Sequence, residues 1–163
     1  MMFESMVPLL VTIAALGAGL MAGVYFAFSA FIMRSFDRLG AARAADAMNA
    51  VNEVILHSWF MALFFGSTLL YALLAGYALF AVDLGARWWL FSAGLIYVVG
   101  MFLCTALFNV PLNNRLDATA ENDRLKAEFW QHYLVYWTRW NHLRALCSLI
   151  AAAISIHYLV SQT

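Results

Sequence analysis

An all-α, four-helix transmembrane bundle is the fold this sequence predicts, on three observations. Apolar residues make up 65% of the 163 and charged residues only 11%, against about half and a quarter in soluble domains. Four apolar runs each reach the ~20 residues that a spanning helix needs. The runs are continuous rather than alternating, so of the two structures that lipid permits, helices and closed barrels, helices fit. One integral membrane domain over residues 1–163 follows, with spans at about 6–33, 54–81, 88–110 and 140–160. The apolar composition makes the lipid bilayer the expected surroundings, and with a formal net charge of zero nothing argues for nucleic acid as a partner.

The first run has Glu4 and no Lys or Arg before Arg34. It lacks the basic start of a signal peptide and reads as a retained span. Ala15, Gly19, Gly23 and Ala27 recur every four residues along it, a spacing that lets helix backbones approach in lipid. The expectation is tight packing inside the bundle, with a homo-oligomer seam as the alternative. Ala41 to Asn52 reads as a short helix leading into the second span. A turn at Asp83-Leu84-Gly85-Ala86 makes the second and third spans antiparallel neighbours. Pro111 lacks a backbone donor and clashes with the preceding turn, so the third helix is expected to end there. Ala118 to Tyr136 contains no Gly or Pro, and the fourth helix is expected to begin near Ala118 and run to about Val160.

Arg34, Arg38 and Arg43 lie on the first connection and Arg115, Arg124, Lys126 and Arg139 on the third, with Arg87 alone opposite. The positive-inside rule places both long connections in the cytoplasm and both termini outside, in the inner membrane if the source is bacterial. The short first-connection helix and the start of the fourth helix would then be cytoplasmic. Cys104 and Cys147 lie within apolar runs and read as buried small hydrophobes.

This topology delivers polar groups from all four helices to one depth: Tyr25 and Ser29, then Asn52, Glu53 and His57, then Asn109 and Asn113, then Trp137, Asn141 and Arg144. Tyr133, Trp137, Asn141 and Arg144 form one helical stripe. Buried Asn and Arg need partners, and an ionisable group within a span marks a functional site. Asn109, Asn141 and Arg144 are expected to meet in one cluster beside the end of the third helix. Each residue also has a plainer reading: helix-end capping for the Asn, snorkelling for Arg144, a solvated helix start for Glu53 and a satisfied core histidine for His57. No Glu-x-x-His pair or HExxH is present, so the diagnostic metal spacings are missing. No cofactor is expected, with a metal- or haem-dependent redox protein kept as an alternative.

The chain resembles the anthrone oxygenase family, four-helix membrane proteins of largely unassigned activity. The resemblance rests on Ala22-Gly23-Val24-Tyr25-Phe26-Ala27-Phe28, Met48-Asn49-Ala50-Val51-Asn52, Asn109-Val110-Pro111-Leu112-Asn113, and Trp137 with Asn141 and Arg144. One departure is Met33-Arg34-Ser35, where the family pattern has a proline soon after the methionine. The resemblance implies oxidation of a small apolar aromatic ligand, an anthrone-type ketone, by dioxygen. Such a ketone has an acidic ring CH₂, and its enolate reacts with dioxygen without metal or flavin. The chemistry needs a base, donors for the enolate oxygen and a flat apolar slot. His57 is the candidate base. Asn109, Asn113, Asn141 and Arg144 are candidate donors. Tyr25, Asn52, Phe108 and Trp137 are candidate substrate contacts. The competing reading is a non-catalytic membrane binding or scaffold protein. A lipid-open cavity favours the enzyme, and a closed, satisfied network favours the scaffold.

Overall fold

The computed structural model describes residues 2–80 and 87–162, with side chains from Met6 onward, and these are helical apart from connecting turns. Four stretches are long and apolar enough to cross a membrane: Met6–Asp37, Trp59–Phe80, Arg87–Asp117 and Asp123–Ser161. The first contains α1 (Met2–Ala27), a π-helical turn (Phe28–Ile32) and α2 (Met33–Asp37). A separate helix, α3 (Ala41–Leu56), follows, then α4 (Trp59–Phe80). The third span runs through α5 (Arg87–Tyr97), two π segments (Val98–Leu103 and Thr105–Asn109) and α6 (Val110–Asp117). The fourth is one unbroken helix, α7 (Asp123–Ser161). The expected turn at 83–86 lies outside the described residues.

The spans form a ring in chain order, each packing on the ones before and after it, with α7 closing on α1. Large apolar side chains such as Leu16, Leu20, Leu69, Leu73 and Leu149 face outward. Ser67, Thr68, Ser148 and Ser155 are buried inside. That inversion of the soluble pattern suits lipid, where interhelical hydrogen bonds add to packing. Ser67 and the Tyr97 hydroxyl are 2.7 Å apart, and Tyr71 and Ser155 hydroxyls 3.0 Å. Gly94 lets α5 meet α4 closely: a Cβ there would sit 2.5 Å from the Tyr71 carbonyl oxygen and 2.6 Å from the Ala75 Cβ.

The bundle core is one of two. The second, at the end carrying the long connections, joins Met33, Ala44, Ala45, Met48, Leu112, Leu116, Trp130, Tyr133 and Trp137. It exists because α3 folds against α2, α6 and the first half of α7. Gly40 makes that fold-back by adopting φ +88°, which only glycine takes without strain. Lys126 ties α3 to α7, its ammonium 2.7 Å from both Asp46 and Asp123. Asp37 accepts the Trp130 indole N–H at 2.8 Å. Between the two cores lies the polar layer.

Four expectations need correction. The second span starts at Trp59 rather than 54, because Ser58 breaks the helix. Its hydroxyl accepts the Phe60 N–H at 3.2 Å, as a capping serine does. Pro111 does not end the third helix. The preceding π segment shifts the bonding step, with Val110 N–H reaching the Thr105 carbonyl, and Pro111 takes the first turn of α6, where no donor is needed. The fourth helix begins at Asp123 rather than near Ala118, set by Asn122, whose side chain caps the N–H groups of Arg124 and Leu125. Finally, of the small-residue stripe only Ala15 is buried; Gly19 and Gly23 face outward with open space around them, so these glycines do not pack inside the bundle. The buried face of α1 is instead Val7, Val11, Ala14, Ala18, Met21 and Tyr25.

Candidate functional site

The stripe Tyr133, Trp137, Asn141 and Arg144 is buried along α7, as its spacing requires. Asn141 is the hub. Its Nδ2 donates to the Tyr25 carbonyl and to Ser29 Oγ, both at 2.6 Å, at the π turn of the first span. Its Oδ1 accepts from Arg144 at 2.8 Å. A carbonyl only accepts and a guanidinium only donates, so both ends of this amide are fixed by chemistry. Arg144 also reaches Thr105 Oγ1, at 3.4 Å, on the third span. Three of the four spans therefore meet at two side chains.

Arg144 is only 5% exposed. Among the described residues no carboxylate lies within ion-pair distance of it. Its guanidinium sits over the rings of Tyr25, at 4.4 Å, and Trp137, at 5.0 Å. Cation–π contact offsets part of the cost of burying the charge. Its Nε is buried without an acceptor.

Asn113 makes a second node. Its Oδ1 accepts from the Tyr133 hydroxyl at 2.8 Å and from Trp137 Nε1 at 2.9 Å. Asn109 is fully buried and donates to the Trp137 carbonyl at 3.2 Å. The expected three-residue cluster is therefore divided: Asn141 and Arg144 bond to each other, and Asn109 bonds to the α7 backbone instead.

Part of each node forms one wall of a cavity of about 250 Å³. Tyr25, Asn52, Asn113, Trp137 and Arg144 all line it, with Thr105. The rest of the lining is apolar: Phe28, Met48, Phe60, Phe64, Phe65 and Phe102 among others. Leu56, Phe65 and Val110 line the cavity and are also exposed on the molecule's surface, so its wall reaches the lipid-facing side. The volume is a little below the ~300–1,000 Å³ of drug-sized sites and suits a small ligand.

Four expected site residues lie outside the lining. Asn109 and Asn141 are buried behind it and hold it in shape. Phe108 stacks on Trp140, centroids 3.8 Å apart, on the outer surface. His57 is exposed at the C-terminal cap of α3, not a turn inside the second span, because the helix breaks immediately after it. Glu53 is exposed as well. Sequence reasoning missed Thr105 and the phenylalanines of α4. Phe60 and Phe64, four residues apart on one helical face, carried a signal, but such pairs ordinarily mark core. Among the described residues no three His, Cys, Asp or Glu side chains converge as a metal site.

Residues 55–154 match the family model described as anthrone oxygenase. The chain belongs to the anthrone oxygenase family. The matched stretch holds Asn109, Asn113, Trp137, Asn141 and Arg144, and so the polar wall of the cavity contributed by the third and fourth spans. Tyr25 and Asn52 precede it. No curated protein and no solved structure matches the chain.

Proposed function

We propose that this anthrone oxygenase family member is a membrane-embedded oxygenase that oxidises a small, flat aromatic ketone with dioxygen. The observation that carries this reading is Arg144, a buried guanidinium with no carboxylate partner among the described residues, set in the wall of a mostly apolar cavity. Its charge calls for an anion, and an enolate oxygen supplies one inside a slot lined by phenylalanine. A ketone bound with its oxygen on Arg144 is acidified at the ring CH₂, because the guanidinium stabilises charge that develops on that oxygen. The proton leaves to interfacial water. The enolate then reacts with dioxygen: the CH₂ loses both hydrogens, one oxygen atom enters as the new carbonyl, and the other leaves as water.

On this reading Arg144 is the catalytic residue. Asn141 positions it, and Asn109 holds the Trp137 turn beside it. His57, exposed and outside the lining, takes no part. The reaction needs no bound cofactor. An apolar substrate and dioxygen both partition into lipid and reach the cavity from the side, past Phe65 and Val110.

Product analysis tests the reaction. Purified protein in lipid nanodiscs is given anthrone under ¹⁸O₂. The expected product is anthraquinone with one ¹⁸O atom, formed faster than in empty nanodiscs. Conversion no faster than in empty nanodiscs, across a panel of anthrones and hydroquinones, would turn the assignment towards a binding protein.

A further inference from the structure

The cavity has a second polar feature that enolate stabilisation by Arg144 does not use. Asn113 Oδ1 is held by two donors, Tyr133 and Trp137. An indole N–H cannot accept, so the atom facing Trp137 is the carbonyl oxygen, and the amide cannot turn over without losing that bond. Its NH₂ is thereby committed to the other side, and Asn113 lines the cavity. Nearby, Asn52 also lines it, its amide beside the Tyr133 hydroxyl. With Arg144, the polar wall offers hydrogen-bond donors.

We propose that Asn113 is a specificity-determining residue: locked by Tyr133 and Trp137, its amide donates to a second acceptor oxygen on the ligand, one apart from the oxygen held by Arg144. A single-oxygen analogue leaves the Asn113 donors unpaired in a water-poor slot, and buried polar sites discriminate strongly against ligands that leave them so. Tyr133 and Trp137 are positioning residues, acting through the amide they hold. The inference rests on the reading that the cavity takes an aromatic ketone.

The test is equilibrium binding without oxygen, so that no turnover intervenes. Anthrone and a ring-methoxylated anthrone are compared on protein in nanodiscs. The methoxy oxygen accepts and cannot donate. Wild type is expected to favour the methoxylated ligand by roughly tenfold, the value of one hydrogen bond of about 1.4 kcal/mol. Asn113→Asp keeps two oxygens, so Tyr133 and Trp137 retain their acceptor and the fold its node, but the cavity side changes from donor to acceptor. The preference should vanish or reverse in it. Trp137→Phe frees the amide to turn over, and the ratio should fall part of the way. Equal affinities in wild type, or an unchanged ratio in folded Asn113→Asp, would overturn the proposal. The same ligands assayed in air separate the two ideas. Oxidation without a binding preference defeats only the role of Asn113. A binding preference without oxidation defeats only the oxygenase reading.

Discussion

Arg144 and Asn141 make opposite demands on the fold. Arg144 is a buried cation whose partners are an amide oxygen, a threonine hydroxyl and two aromatic faces. Burying a charge with no counter-ion costs free energy, and an apolar side chain of similar length often restores it. Arg144→Met removes that cost but leaves the buried Asn141 Oδ1 without its donor, so it is expected to lower stability in detergent unfolding by no more than the ~1–3 kcal/mol of one unpaired polar group, while losing oxidation. A large loss of stability would show that Arg144 is structural glue. Asn141→Leu should do the reverse of neutral: it strips a donor from the Tyr25 carbonyl and Ser29 and an acceptor from Arg144. Buried polar groups left unpaired cost about 1–3 kcal/mol, and a loss of that order in the same unfolding assay is expected. His57→Ala should leave turnover within about twofold of wild type, because the side chain is exposed and outside the cavity lining; a drop of ~10²–10⁴-fold, the range for loss of a general base, would return it to the mechanism. At this scale the α7 stripe was legible because helical periodicity alone aligns Tyr133, Trp137, Asn141 and Arg144. The place of His57 was not, because it depended on a helix break carried by one serine.

The helices themselves depart from regular α geometry where the site is built. A π turn in the first span and two in the third flank the polar layer. Such turns concentrate at functional sites, since the extra residue widens the backbone and re-aims side chains. Sequence periodicity cannot reveal a single added residue in a uniformly apolar run, so these turns stayed hidden, and with them the reason Pro111 is tolerated. Pro111 now sits exposed in the first turn of α6. Pro111→Ala is expected to change stability by less than about 1 kcal/mol, where a proline in a helix interior would cost about 3. Gly94 and Gly100 behave differently. A Cβ on Gly100 would overlap the Cys147 side chain, and one on Gly94 the Tyr71 carbonyl and Ala75. Gly94→Leu should part the second and third spans, with a loss of about 1–3 kcal/mol or failure to fold, whereas Gly23→Leu, in open space, should be tolerated in the monomer. In the sequence Gly23, on its four-residue repeat, carried the packing signal and Gly94 carried none, the reverse of what the structure shows. Only the neighbouring helix decides between them.

For the whole molecule, the number of spans and their helical bundle followed from composition and run length, because lipid leaves so few alternatives; the ring order did not. The second core did not. It depends on α3 folding back at Gly40 and packing on α6 and α7, contacts between segments far apart in the chain. That fold-back closes one side of the cavity through Met48, Val51, Asn52 and Ile55. The charge distribution supports an orientation with this end inside the cell and both termini outside. In a variant without native cysteines, a membrane-impermeant thiol reagent added to intact cells should label Gln162→Cys and not Asp117→Cys. The opposite pattern would invert the topology.

The central claim is that the guanidinium of Arg144, facing an apolar cavity, drives oxidation of a flat aromatic ketone. Oxygen uptake by purified protein in nanodiscs supplied with anthrone, wild type against Arg144→Gln, tests it most directly. Loss of one such charge-stabilising donor costs ~10²–10³ in rate. The account predicts one dioxygen consumed per anthrone by wild type and a fall of that size in the folded variant. Equal rates in the two proteins, with both folded, would contradict it.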